Sequence, residues 1–136
     1  MPKYLIDASV IHGLANTKDR HHSVCKEFFE ENANEQFHFS VHSFFEVHAA
    51  RLRRIRGRDF VGLPGQFKLR NQILHILDNN FYKECKRRDL FSVFDGLKGS
   101  DLIYACLAKI RGLTLVTCDE DFNPYADEIG VLRLTE

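Results

Sequence analysis

Four carboxylic acids, spread over the whole chain, stand where segments of regular structure are predicted to begin or end. Asp7 directly follows a short apolar segment, and Glu46 falls in the first turns of a predicted helix. Asp101 falls in the first turn of another predicted helix, and Asp119 lies two residues beyond an apolar segment that ends at Thr117. If parallel strands alternate with helices, all four acids lie at one edge of the sheet, where α/β proteins bind ligands.

Carboxylates that are brought together repel one another and raise each other's pKa unless a cation lies between them. Hard divalent ions such as Mg²⁺ bind such oxygen ligands and commonly bind a substrate phosphate as well. Two ions roughly 3.5–4 Å apart are a standard arrangement for cutting phosphodiester bonds, and this chemistry needs neither a histidine base nor a covalent nucleophile. The acid set therefore predicts a carboxylate metal site that hydrolyses phosphodiesters.

Each of these acids also has a purely structural explanation. Glu46 fits a capping box with Ser43, and Asp101 fits the first turn of a helix capped by Ser100. Asp119 fits a turn that ends a strand. The acid that follows the first strand is the hardest to explain in this way, and all four together on one edge favour a functional site.

The periodicity of apolar residues predicts the elements that carry the acids. Strands are predicted over residues 3–6, 36–41, 91–94, 113–117 and 131–134. Helices are predicted over residues 9–15, 19–32, 41–56, 69–80 and from Ser100 to Gly112, with a possible continuation over 81–88 and a loop over 57–65. The helix over 41–56 is predicted to bury a face that includes Phe45 and His48. This alternation indicates an α/β fold with a mostly parallel sheet.

The composition is that of an ordinary globular protein. The 136 residues fit one domain over 1–136, and 44% hydrophobic with 28% charged residues argue against disorder. There is no apolar run of the roughly 18–20 residues that a membrane span needs, so no membrane partner is expected. The four widely spaced cysteines indicate a reducing compartment, and a cytoplasmic location is expected. The seven histidines show no zinc-binding spacing.

Charge is segregated along the chain although the net charge is zero. Residues 1–50 carry a net charge of −3, residues 51–88 carry +8, and residues 89–136 carry −5. The basic third includes five closely spaced arginines: Arg51, Arg53, Arg54, Arg56 and Arg58. These side chains are candidates to bind the phosphates of a polyanion such as RNA beside the acid site. A solvated helix face, or a surface that binds a protein partner, explains them as well.

Four motifs in this order resemble the PIN-domain family, and within it the VapC-like toxins of prokaryotic toxin–antitoxin pairs. The motifs are a strand followed by Asp-x-Ser (residues 4–9), a Ser followed by a helix with Glu (40–46), an Asp-led Ala-rich helix (99–108) and a Thr-x-Asp-x-Asp-Phe turn (115–122). The fourth motif is the most specific, and the four cover nearly the whole chain. The sequence departs from the family in a short link between 94 and 101 and in the loop over 57–65.

The resemblance implies a three-layer α/β/α PIN-like domain with a five-stranded, mostly parallel central sheet. It implies a Mg²⁺- or Mn²⁺-dependent endoribonuclease, the toxin of a type II toxin–antitoxin pair, in which Asp7, Glu46, Asp101 and Asp119 are catalytic and bind the metal. Ser9 and Thr117 would orient these groups, and Asp121 would be a supporting residue. Apart from the resemblance, the place of Asp121 beside Phe122 predicts that its carboxylate caps backbone N–H groups of the turn. RNA would be the substrate and a small antitoxin protein the partner, and the chain would form a homodimer.

Two other functions remain open from the sequence. A catalytically idle PIN-like module would bind RNA or a partner without cleaving, although the complete acid set argues against it. A phosphate-receiver domain also places acids at strand ends, but it needs a Lys near the end of a late strand, and none is visible. Leu69, Ile73 and Ile76 form an apolar stripe that could serve a twofold interface.

Overall fold

The computed structural model describes residues 2–55 and 72–136, with only the helical backbone over 51–55. The strands are β1 (Lys3–Ile6), β2 (Gln36–Ser40), β3 (Gln72–His75), β4 (Thr114–Thr117) and β5 (Gly130–Arg133). The helices are α1 (Ala8–Ala15), α2 (His22–Glu31), α3 (Val41–Ile55), α4 (Asn79–Arg87), α5 (Leu90–Val93) and α6 (Ser100–Arg111), and a 3₁₀ turn covers Asn123–Tyr125.

Within these described ranges the sheet has five strands in the order β3-β2-β1-β4-β5, and every neighbouring pair is parallel. Helices flank the sheet and give the three-layer α/β/α arrangement that the sequence predicts. The first strand is central, because β2 pairs with one side of it and β4 with the other. The carboxyl ends of these three strands therefore meet at one edge, where Asp7 donates its backbone N–H to Val116 at 3.0 Å.

The central strands are buried on both faces, as expected for a parallel sheet covered by helices. Leu5 and Ile6 in β1, and Leu115 and Val116 in β4, are buried in the core. Phe37 of β2 packs with aromatic rings of α2 and β1, among them Phe28 and Tyr4. The outer strands β3 and β5 are partly exposed.

The structure contradicts the predicted assignment of the third strand. The predicted helix over 69–80 contains β3, and the predicted strand over 91–94 is α5 with the turn that follows it. Leu90 and Phe94 are buried and lie at helical spacing, which explains why this apolar run forms a helix. The expected short link before Asp101 disappears, because α4 and α5 lie between β3 and that acid. Leu69 and the loop over 57–65 lie outside the described residues, and Ile73 and Ile76 do not share a helix face.

The buried face of α3 also differs from the predicted one. Phe45 is 71% exposed and His48 is exposed, whereas Ser43 and Val47 are buried. The helix is therefore turned so that Phe44 and Val47, not Phe45 and His48, face the core. The prediction that His48 is a core residue is wrong.

Helix ends follow the local sequence closely. Asp78 caps α4 by accepting a hydrogen bond from the Phe81 backbone N–H at 3.0 Å. Gly112 ends α6 in the left-handed conformation at φ +65°, which glycine adopts without strain. None of the helices in the described part of the chain is long and apolar enough to cross a membrane.

Candidate active site

Asp7 lies at the carboxyl end of β1, and its side chain is held by two hydroxyl groups. The residue is 3% exposed. Ser9 Oγ and Thr117 Oγ1 each donate a hydrogen bond to Asp7 Oδ2 at 2.7 Å. Both bonds go to the same oxygen, and so neither hydroxyl occupies Oδ1. The supporting role expected of Ser9 and Thr117 thus has a concrete geometry, in which they fix the orientation of this carboxylate.

The same hydroxyls also shape the turn that carries Asp119. The backbone N–H of Asp119 donates to Thr117 Oγ1 at 3.0 Å, and that of Cys118 donates to Ser9 Oγ at 3.1 Å. The two hydroxyl oxygens lie 3.4 Å apart. These hydrogen bonds join the end of β4 to the start of α1, and they hold the backbone of Asp119 at this junction.

Glu46 lies in the first turns of α3 and receives a hydrogen bond from a tyrosine. Tyr104 on α6 donates its hydroxyl proton to Glu46 Oε1. The same carboxylate oxygen lies 3.7 Å from His42 Nε2, and His42 Nε2 lies 2.9 Å from Ser100 Oγ. Because Ser100 precedes Asp101, these contacts bring the acid of α3 close to the start of α6.

Tyr104 and His42 are site residues that the sequence reasoning missed. Tyr104 lies three residues after Asp101 in α6, and His42 lies four residues before Glu46 in α3. Residues at these spacings share a helix face. That spacing was the available signal, since a polar group on the face of a predicted catalytic acid is placed beside it.

Burial and mutual repulsion raise the pKa values of three of the four acids. Burial raises the pKa of Asp7 to about 7, and the charges of Asp119 and Asp101 add to the rise against the two hydroxyl hydrogen bonds. Burial raises the pKa of Asp101 to about 6, followed by the charges of Asp119, Asp121 and Glu46. The pKa of Asp119 is also raised, by burial and then by Asp121. Each of the four acids therefore lies close enough to another for their charges to interact at this edge of the sheet.

Asp121 is exposed, and its carboxylate acts on the site through its charge. It raises the pKa of both Asp119 and Asp101. Between residues 72 and 136 its side chain makes no hydrogen bond to the backbone of the turn, so the expected capping role is not found. The backbone N–H of Asp119 is instead capped by Thr117.

The structural explanation for Glu46 is wrong, and that for Asp101 holds only in part: Asp101 lies in the first turn of α6, but Ser100 does not cap this helix. No capping box forms at Ser43, because Ser43 Oγ donates to the Ser40 carbonyl at 2.6 Å and Glu46 accepts from Tyr104. The residue before α6 is Gly99, which has no side chain, and the Ser100 hydroxyl contacts His42 instead of capping the helix. Neither acid is thus explained by helix capping.

Of the five predicted arginines, the structure describes the helical backbone of three. Arg51, Arg53 and Arg54 lie on the backbone of α3, in the half that follows Glu46. Their side chains, and all of Arg56 and Arg58, lie outside the described residues.

The acid set has the chemistry of a site for a hard divalent cation. Within residues 2–55 and 72–136, no group of three or more His, Cys, Asp or Glu side chains is arranged so that it could hold a metal ion. The four acids nevertheless offer carboxylate oxygens from separate segments, and a cation would oppose the raised pKa values of Asp7, Asp101 and Asp119. Asp7, Glu46, Asp101 and Asp119 are therefore the candidate ligands for a divalent cation.

Three solved structures have a similar fold. VapC20 of Mycobacterium tuberculosis, a sarcin–ricin loop cleaving toxin, has a TM-score of 0.66 at 16% identity, covering 90% of this chain and 94% of that one. VapBC2 of Rickettsia felis, bound to a DNA fragment from its promoter, has a TM-score of 0.69 at 15% identity, and the match covers 98% of this chain and 99% of that one. DNA-bound VapBC of Salmonella typhimurium has a TM-score of 0.61 at 17% identity, and the match covers 98% of both chains.

At these identities the likeness concerns the fold. A comparison with curated proteins gives no match. The family model described as PIN domain matches residues 4–128, which is nearly the whole chain and includes all four acids, both supporting hydroxyls and Tyr104. The sheet order and the sequence motifs agree with this match, and the chain belongs to the PIN-domain family.

Proposed function

We propose that this chain is a Mg²⁺- or Mn²⁺-dependent endoribonuclease, formed by a single PIN domain, and the toxin of a toxin–antitoxin pair. The observation that carries the proposal is the position of Asp7. A nearly buried carboxylate is held by two hydroxyls from opposite ends of the chain, and the charges of Asp119 and Asp101 act on it and raise its pKa. A protein gains nothing in stability from such repulsion, and active sites are where it is commonly found.

The residues of the chain have separate parts in this proposal. Asp7, Glu46, Asp101 and Asp119 hold the cations, and bound divalent ions supply the positive charge that activates water and balances charge on the phosphate. Ser9 and Thr117 keep Asp7 in one orientation through their bonds to Oδ2. Thr117 also fixes the backbone from which Asp119 projects.

The substrate and the partner are proposed from the fold neighbours and the charge pattern. One neighbour is named as a toxin that cleaves the sarcin–ricin loop, and two are VapBC assemblies bound to DNA. We extend an RNA substrate and a small antitoxin protein to this chain, which would act as a homodimer. The basic third of the sequence, which begins within α3 after Glu46, provides cations for the phosphates of RNA.

A cleavage assay with a matched variant tests the function. Wild-type protein and Asp7→Asn are purified in parallel and incubated with a labelled structured RNA, with Mn²⁺, with Mg²⁺ or with EDTA. We expect the wild type to cut the RNA internally only with a divalent ion, and the variant to be inactive while it keeps its circular dichroism spectrum. RNA binding without cleavage by the folded wild type would favour the idle module. Equal cleavage by both proteins would exclude the acid site.

A further inference from the structure

Tyr104 contributes a buried hydroxyl group to the acid site. The residue has no exposed surface, and its ring lies in the core beneath the carboxyl edge of the sheet. Its hydroxyl donates to Glu46 Oε1, which joins α6 to α3. Asp101 lies one helical turn before Tyr104, so a single element carries one acid of the site and a hydrogen-bond donor to another.

Glu46 needs such a donor more than the other acids do. Its carboxylate ends a side chain with three rotatable bonds on a helix whose neighbouring residue, Phe45, is exposed. The other polar group near the same oxygen is His42, at 3.7 Å, and its ring nitrogen lies closer to Ser100 Oγ, at 2.9 Å. A buried tyrosine has only two side-chain torsions, both restricted by packing, and its position is therefore well defined.

We propose that Tyr104 is a positioning residue that holds the Glu46 carboxylate toward the other three acids in a conformation ready to bind a cation. The inference rests on the proposed function. The Tyr104 hydroxyl belongs to a side chain with no exposed surface, and its hydrogen bond goes directly to the Glu46 carboxylate. A bond from a neutral donor to a charged carboxylate is among the stronger hydrogen bonds. One oxygen of Glu46 is thus occupied by the protein, and the orientation of the other is set for a ligand.

A merely structural role for the hydroxyl predicts different behaviour. A buried tyrosine oxygen needs some partner, and Glu46 would then serve only to satisfy it. In that case the loss of the hydroxyl changes stability and leaves cation binding intact. Groups that orient metal ligands typically change metal affinity or activity by about 10–100-fold when they are removed.

The test is Tyr104→Phe, with Tyr82→Phe as its matched control. Both variants lose one phenolic oxygen, but Tyr82 lies exposed on α4 beside Phe91. Mn²⁺ affinity by isothermal titration calorimetry, kcat and KM for RNA, and cation-free Tm are measured on each. For Tyr104→Phe we expect Mn²⁺ affinity and kcat to fall about tenfold or more with little change in KM. Tyr82→Phe should match the wild type.

The Glu46→Gln background shows whether the effect passes through Glu46. If Tyr104 acts on this carboxylate, adding Tyr104→Phe to Glu46→Gln should change Mn²⁺ affinity less than about twofold, because effects that pass through one contact are not additive. Equal loss in both backgrounds would overturn the proposal. So would unchanged Mn²⁺ affinity and kcat in Tyr104→Phe, or a variant that fails to fold, since both assign the hydroxyl to stability alone.

These outcomes also separate the inference from the function on which it rests. A wild type that binds Mn²⁺ and cleaves RNA, with a Tyr104→Phe variant that does the same equally well, overturns the inference and leaves the function standing. A folded wild type that neither binds Mn²⁺ nor cleaves overturns both.

Discussion

Asp7 is the residue at which stability and the proposed chemistry conflict. Its pKa in the fold is about 7, above the ordinary 3.8, because burial disfavours its charge. The folded chain therefore binds more protons at this position than the unfolded chain between about pH 4 and 7. Without a cation, the free energy of unfolding that Asp7 contributes falls as the pH rises through that window. A bound cation would reverse the effect.

We therefore expect Asp7→Asn to be inactive and, without cations, more stable than the wild type at pH 8. The difference in free energy of unfolding should shrink toward pH 4, where the wild-type carboxyl is protonated. Urea unfolding in EDTA at several pH values measures both trends. A variant less stable than the wild type at every pH would show that the two hydroxyl hydrogen bonds outweigh the cost of the buried charge.

The three acids of the turn after β4 should behave differently. Asp119→Ala should lose Mn²⁺ affinity and cleavage. Asp121→Ala removes a charge that raises the pKa values of Asp119 and Asp101, and it breaks no capping bond. It should therefore keep or slightly raise stability and alter Mn²⁺ affinity only modestly. Calorimetric titration and urea unfolding of both variants measure these effects.

Glu120→Ala is the control for this set. Glu120 is mostly exposed and pairs with Arg133 at 3.8 Å, a surface contact worth at most about 1 kcal/mol. Loss of Mn²⁺ binding in Asp121→Ala but not in Asp119→Ala would mean that the fourth acid of the site is Asp121.

At the scale of the element, two histidines join the edge strand β3 to β2. His38 Nδ1 lies 2.7 Å from His75 Nε2, and the rings stack at 5.0 Å. Burial, followed by His75 and Lys3, lowers the pKa of His38 to about 4, and burial lowers that of His75. The unfolded chain therefore binds more protons than the fold between about pH 4 and 6.5, so this pair stabilises the fold fully above that range and loses its contribution as the pH falls through it.

Hydrogen exchange should report this effect locally. Relative to the opposite edge strand β5, amides of β3 should lose protection between pH 7 and pH 5, after correction for intrinsic exchange rates. In His38→Phe, which keeps an aromatic ring and cannot titrate, the loss should be smaller. If His38→Phe loses the same protection as the wild type, the pH dependence of β3 does not come from the histidine pair.

Helix α3 joins the acid site to the basic third of the chain. Arg53 follows Glu46 by seven residues, which corresponds to about 10 Å along a helix. The Arg53→Ala and Arg54→Ala double variant should bind RNA more weakly, and the slope of log affinity against log salt should fall by about one for each lost phosphate contact. Filter binding in EDTA measures the slope. Lys26→Ala, an exposed residue on α2, is the control, and an unchanged slope would assign the arginines to solvent or to a partner.

The elements show what the sequence could and could not predict. The sequence predicted most elements to within a few residues, among them α2, α3, α6, β1, β2, β4 and β5. Their apolar residues recur at a clear helix or strand period, or a residue such as Gly112 marks where the element ends. Strand β3 and helix α5 were exchanged. Both elements have four residues, with the sequences Gln-Ile-Leu-His in β3 and Leu-Phe-Ser-Val in α5, and four residues are too few to distinguish the two periods.

The site, like the fold, could be predicted from the sequence only in part. The edge that gathers Asp7, Glu46, Asp101 and Asp119 follows from strand–helix alternation alone, so the error at β3 did not move it. Tyr104 was missed although it lies three residues after Asp101 on the same helix face, because a tyrosine on a buried helix face is usually a core residue. Its partner became visible only from the packing of α6 against α3.

At the scale of the whole molecule, the charged acids of the site repel one another at neutral pH, and a bound cation would offset this repulsion. A ligand that binds the fold and not the unfolded chain stabilises the fold by mass action, by about 2.7 kcal/mol at one hundred times its Kd. We expect Mn²⁺ to raise the Tm of the wild type in a concentration-dependent way and to have little effect on Asp119→Ala. Differential scanning calorimetry measures this. An equal rise in both proteins would indicate binding elsewhere.

The central place of β1 has a consequence for biosynthesis. Strand β1 lies between β2 and β4, and Asp7 is oriented by a residue 110 positions later in the chain. Chains emerge from the ribosome amino end first, so Asp7 and Glu46 are made well before β4 can complete their surroundings. A half-made chain holds two acids without Asp101, Thr117 or Asp119. The strand order therefore leaves the set of acids incomplete until synthesis has passed β4.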